Sequence, residues 1–188
     1  MAKLTATEED LELVEDIIAK VVANVSMLVD REIEVEGVET LRVTERIAGK
    51  AKVHISFKLT FRDDDGREAQ GCVLVPLPDA LSLACYLMMF PEGEVKAHRG
   101  NKDLDRSMKD AMLELGNFIG AAVDESLRAR VRGTSARTRG CQGVRANVRP
   151  AFAYEEGREL VVGRAKARVH EFPPFELIVM LPALPLTD

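Results

Sequence analysis

Asp110-Ala-Met-Leu-Glu114-Leu-Gly116-Asn117-Phe-Ile-Gly120 lies in a segment, 102–130, whose apolar residues recur every three or four positions. That period predicts one long amphipathic helix. Leu104, Met108, Ala111, Leu115, Phe118 and Ala122 form an apolar line, broadened by Met112, Ile119 and Val123. Asp110, Glu114 and Asn117 fall three or four residues apart, so their side chains share the polar face. Most acidic helix faces are merely solvated. This one carries a cost, because Asn is a poor helix former and Gly loses up to about 1 kcal/mol against Ala in a helix interior. Asn117 between Gly116 and Gly120 therefore marks a place chosen for chemistry or for close packing.

Upstream, Thr7 can cap a helix reaching about Asp30, with Leu11, Val14, Ile17, Ile18, Val21, Val25 and Leu28 at helical spacing. A strand is expected over 40–47. Val53, Ile55, Phe57, Leu59 and Phe61 alternate with Lys52, His54, Ser56, Lys58 and Thr60, as a half-buried strand does. Asp63-Asp-Asp-Gly66 makes a turn into a strand over 67–75, followed by a short apolar helix over 79–90 and a loop holding Pro91 and Gly93. Beyond the long helix, strands are expected over 143–153, 160–170 and 175–181. The element order is helix, three strands, short helix, long helix, three strands. It reads as one domain, 1–188, of two similar halves (about 7–90 and 102–182), each a helix followed by an antiparallel meander. The fold class is α+β, helices on antiparallel sheet.

With 188 residues, 46% apolar and 30% charged, the chain can bury a substantial core and is not of the disordered type. The acidic, amphipathic start has no basic-then-apolar signal pattern, and Cys72, Cys85 and Cys141 are odd in number and lack metal-ligand spacing. A cytoplasmic, reduced setting is expected. The apolar run 69–90 is broken by Pro76, Pro78 and Asp79, so it reads as a buried strand and helix, not a membrane span. The net charge of −5 hides an imbalance: Arg128 to Arg149 holds seven arginines and no acid, while the rest of the chain has 19 bases against 31 acids. With Gly133, Thr134, Ser135 and Gly140 and no aromatics, that segment reads as a solvated flexible loop, or alternatively as an attractor for an anionic partner. Nucleic acid is disfavoured by the acidic body.

Standard catalytic patterns are missing. His54, His98 and His170 lack partners at ligand spacing, and there is no phosphate-binding glycine loop, nucleophile elbow or Cys-x-x-Cys. Arg128-Ala-Arg-Val-Arg132 has the form of a cyclic-dinucleotide motif but lacks its Asp/Asn-x-Ser-x-x-Gly partner. The polar line of Asp110, Glu114 and Asn117 is the remaining candidate.

Asp110-x-x-x-Glu114-x-x-Asn117, followed by Gly120, resembles the signature of the CheC, CheX and FliY phosphatases, which act on phosphorylated CheY-type response regulators in bacterial chemotaxis. The element order and the closing strand Phe175-Glu-Leu-Ile-Val-Met-Leu181 share the resemblance, though in sequence detail it covers only about 102–122. Two departures stand out. The family proline follows Asn after 22 intervening residues, whereas 32 residues lie between Asn117 and Pro150; the arginine-rich loop could hold the extra ten. The first half has no copy, since Asp16 is followed by Lys20 and Ala23, which is similar to single-site CheX. The resemblance implies that Asn117 positions the attacking water, that Glu114 pairs with the receiver's lysine, and that Asp110 supports substrate docking. It implies no cofactor of the chain's own, Mg²⁺ on the receiver, and a homodimer formed by sheet extension. Two alternatives remain: a non-catalytic receiver-binding module resembling flagellar-switch proteins, and an anion binder using the arginines.

Overall fold

The computed structural model describes residues 3–186; the outermost residues of the 1–188 domain expected from the sequence lie outside them. In chain order the elements are β1 (Lys3–Leu4), α1 (Glu8–Val29), β2 (Ile33–Val43), β3 (Val53–Arg62), β4 (Glu68–Pro76), α2 (Leu77–Leu87), α3 (Glu92–His98), α4 (Arg106–Arg130), β5 (Ser135–Arg145), β6 (Leu160–Val169) and β7 (Phe175–Pro182). Thr7 caps α1 as expected, in a reciprocal box. Its hydroxyl accepts from the Asp10 amide at 3.2 Å, and Asp10 accepts from the Thr7 amide at 2.8 Å. Asp30, in the left-handed region, ends the helix.

The seven strands form one antiparallel sheet in the order β1-β2-β6-β7-β4-β3-β5. Pairing β2, β3 and β4 with β5, β6 and β7 turns that order into its own reverse, apart from β1. The two halves expected from element order are thus related by a pseudo-twofold between β4 and β7. The expected meander within each half is corrected. β2 lies beside β6 and β5 beside β3, so each half lends its first strand to the other.

α1 and α4 pack on one face of the sheet. Val14, Ile17, Ile18, Leu115, Ile119 and Val123 meet Phe57, Phe61, Val161 and Val179 there in the main core. The opposite face has a smaller core around Leu74, Val162, Ile178 and Met180, roofed by Ile47 and Phe152 from coil segments rather than by a helix. The Tyr154 hydroxyl lies 2.6 Å from the carbonyl oxygens of Thr44 and Arg158, and Arg46 donates to the Pro150 carbonyl at 3.0 Å, fixing that roof. β3 is consequently covered on both faces. His54 and Ser56, assigned by alternation to a polar side, are each 1% exposed.

Other boundaries moved for local reasons. β2 begins at Ile33, seven residues before the expected strand, with an irregularity between Glu36 and Glu39 where Gly37 takes a positive φ. The expected strand over 143–153 is replaced by β5 at Ser135–Arg145, and 146–159 forms the roofing coil. Glu92–His98 is a short helix where a loop was expected, seated by Val95 in the core. No helix among the described residues is long and apolar enough to cross a membrane.

Candidate functional site

α4 starts at its cap, Asp105, whose carboxylate accepts from the Met108 amide at 2.8 Å. Its side toward the sheet edge follows β5 turn by turn. Leu113 reaches Gly140, Gly116 and Gly120 sit over Thr138, and Asp124 accepts from the Ala136 amide at 2.8 Å. A Cβ on Gly116 would stand 3.2 Å from the Phe57 ring, and one on Gly120 would stand 3.2 Å from both the Cβ and the amide nitrogen of Thr138. Close packing is therefore what the two glycines serve. The pseudo-equivalent contact uses the reverse solution: in α1 the large Val14 and Ile18 lie over a glycine of the strand, Gly163.

Asn117 has no such packing role. It is exposed, as are Asp110 and Glu114. The structure brings the three onto one outward face, and Asn117 donates to Glu114 at 3.4 Å, a long hydrogen bond between neighbouring turns. Among the described residues neither Asp110 nor Glu114 forms an ion pair. Beside them Leu113 is a large apolar side chain left half-exposed, which sequence reasoning did not single out.

The first half shows what happens to such acids when a base is near. Counted from the caps Thr7 and Asp105, Glu12 and Asp16 stand where Asp110 and Glu114 do, and Ala19 where Asn117 does. Arg130 at the end of α4 lies 2.8 Å from Glu12 and 3.7 Å from Asp16, and Lys20 lies 3.4 Å from Asp16. The acidic pair of α1 is engaged and lacks the amide.

The Arg128–Arg149 segment, expected as a flexible loop, begins in the last turn of α4, and half of it is the edge strand β5. Its inward positions are small, Ala136 and Thr138, which lets the arginines face outward. Arg128 pairs with Asp124 at 2.7 Å and Arg149 with Glu45, while Arg139 only approaches Glu68 at 4.0 Å. The idea of ten extra loop residues after the motif helix is corrected with it. The position that follows 22 residues after Asn117 is Gly140, which takes a positive φ in β5, and Pro150 is buried in the roof on the other face of the sheet.

Other chemistry is not assembled here. Burial pushes the Cys72 thiol up to about 12 and the Cys85 thiol to about 11, so both stay protonated near neutral pH. No group of three His, Cys, Asp or Glu among the described residues is placed to hold a metal ion.

With helices on one face of an antiparallel sheet, the chain has the CheC/CheX/FliY fold. FliY of Thermotoga maritima is similar at a TM-score of 0.64 and 16% identity, covering 96% of this chain and 93% of that one. A FliG–FliM complex from H. pylori contains a chain similar at a TM-score of 0.63 and 11% identity, covering 95% and 96%. CheX from Desulfovibrio desulfuricans matches at 0.56 and 12% identity, covering 90% and 97%. No sequence-family model and no curated protein matches the chain.

Proposed function

We infer that this chain hydrolyses the phosphoaspartate of a CheY-like receiver domain in the cytoplasm, with Asn117 and Glu114 as its working residues. The observation that carries this reading is the exposed Glu114–Asn117 turn of α4, its acid without an ion pair and its amide without a packing role. Acyl phosphate hydrolysis by in-line water attack gains most from positioning, since little covalent chemistry is left to the protein. A carboxamide offers one acceptor and two donors, so Asn117 can hold the attacking water and orient it. Glu114, one turn earlier, would meet the receiver's active-site lysine and fix the register of α4 in the partner's cleft. Asp110 would extend that docking line by another turn. The Mg²⁺ of such a reaction belongs to the receiver.

The test is the lifetime of phosphoaspartate on purified CheY-like receivers with wild type, Asn117→Ala and Glu114→Ala. Asn117→Ala is expected to abolish acceleration while retaining receiver binding, and Glu114→Ala to weaken binding as well. Full activity in Asn117→Ala would remove the mechanism. A second reading, a receiver-binding module without turnover, is favoured by one fact: two FliM-containing structures match at TM-scores of 0.63 and 0.64, as well as FliY does at 0.64. It predicts phosphorylation-dependent binding with an unchanged phosphate lifetime.

A further inference from the structure

The two long edges of the sheet carry opposite charge. At one end, β5 is paired to β3 along one side only, and among the described residues nothing pairs its outer side. It carries Arg137, Arg139 and Arg145, all exposed, and no acid. At the other end, β1 covers β2 only at Arg42 and Val43, and among the described residues nothing pairs the outer side of 33–41. Glu32, Glu34, Glu36 and Glu39 are exposed there with no base among 32–41. Two of these acids are partly engaged by β6: Glu34 by Arg168, and Glu36 by Lys166 at 3.9 Å.

Long unpaired edges invite further pairing, and charge is the usual means of blocking it. Blocking needs no difference in sign between the edges. A segregated pattern selects instead among partners, because opposite charges across paired strands attract and like charges repel. Pairing β5 with β5 of a second copy would stack arginines, and pairing β2 with β2 would stack glutamates. Pairing β5 of one copy with β2 of the next sets Arg137 and Arg139 against the Glu34–Glu39 run. The strand directions permit it. The six long strands alternate, so β5 and β2 run opposite ways and a copy placed alongside continues the antiparallel ladder. The faces agree too. Arg137 pairs opposite Thr60, and Glu34 and Glu36 opposite Arg168 and Lys166, all on the face away from the helices.

We propose that the occupant of each edge is a second copy of this chain, joined head to tail through β5 and β2. Such a contact is heterologous and repeats instead of closing at two. It leaves the outward face of α4 free, and it is independent of the phosphatase reading.

Sedimentation analysis of the full chain at low and high salt tests this, because the screening length falls from about 10 Å at 0.1 M to about 3 Å at 1 M. At low salt the mass is expected to rise with concentration past that of a dimer, and at high salt to return to monomer. Arg137→Glu with Arg139→Glu makes both edges acidic, and Glu36→Arg with Glu39→Arg removes the net acidity of the β2 edge while β5 stays basic. Each is expected to be monomeric, with thermal melts to verify folding, and an equimolar mixture is expected to reassociate. A wild type that is monomeric at every concentration at low salt would overturn the proposal. So would assembly that stops at two copies and persists in either double variant, or folded variants that fail to reassociate when mixed.

Discussion

Gly120→Ala isolates the packing role of the glycines that flank the candidate site. The added methyl would sit 3.2 Å from the Cβ and amide nitrogen of Thr138 and 3.5 Å from its Cγ2. Comfortable carbon contacts begin near 3.5 Å. Thr138 cannot retreat easily, since its backbone is laddered to Leu59, so α4 must rise by a few tenths of an ångström. Rising loosens Ile119 and Val123, both essentially buried beneath it. The helix itself gains up to about 1 kcal/mol from losing a glycine. Overpacking of this kind costs about 1–3 kcal/mol. The balance is a loss of about 1 kcal/mol, equivalent to roughly 2–4 °C in melting temperature for a chain of this size. Urea unfolding followed by circular dichroism measures it. The control is Ala121→Gly on the exposed side, where propensity alone predicts a similar loss of about 1 kcal/mol. If Gly120→Ala instead stabilises the protein by most of that 1 kcal/mol, the helix-to-strand spacing is not set by the glycine and the argument fails.

Two other perturbations follow from named contacts. Arg99 donates to Asp79 at 2.9 Å and to Ser82 at 2.6 Å, and stacks 4.1 Å from the Phe172 ring centre. Arg99→Ala strands a carboxylate whose burial already pushes its pKa up, and should cost about 3–5 kcal/mol in urea unfolding, with part recovered by adding Asp79→Ala. Burial lowers the His54 pKa from 6.5, the nearby Glu176 opposing it only in part. The neutral ring is the native form, so its contribution to stability is full above pH 6.5 and is lost as pH falls below 6.5 through the lower folded value. Unfolding free energies between pH 7.5 and 5 should fall more steeply in wild type than in His54→Gln, and identical slopes would refute the assignment.

Local signals carried most elements. The Thr7–Asp10 box marks the start of α1, the strict alternation from Val53 to Phe61 marks β3, and the 3.6-residue period marks α4. What local signals could not carry was pairing. Nothing in 33–43 says that its neighbour is β6, because strand exchange between halves is decided by the whole sheet. β5 was hidden for a different reason. Its arginine density resembles a solvated loop, yet an edge strand needs only its inward positions small or apolar, and Ala136 and Thr138 suffice. The double burial of β3 was equally invisible, since its cover on the second face is irregular coil. At the site, the sequence left Gly116, Gly120 and Asn117 with one shared oddity. Only the position of β5 separates them, putting the glycines against Thr138 and Phe57 and leaving the amide outside.

The pseudo-twofold also shows why the acids at the positions of Asp110 and Glu114 are free in one half and engaged in the other. α1 and α4 lie antiparallel, with Glu12 and Asp16 against Arg130 and Lys20 against Glu125 at 3.3 Å. The C-terminal arginines of α4 therefore reach the N-terminal acids of α1. The symmetric contact would need bases at the end of α1 to reach Asp110 and Glu114. Counted from the caps, the positions of Arg128 and Arg130 are taken there by Asp30 and Glu32, and the last turn of α1 has no basic residue. Charge at those two positions keeps Asp110 and Glu114 unpaired, because acids at the end of α1 cannot neutralise them. An exposed carboxylate without a partner gains little for folding, since surface ion pairs are worth only about 0–1 kcal/mol and this one is not even formed. Glu114 is left with only the long bond from Asn117 at 3.4 Å, so its carboxylate is free to meet a cationic group.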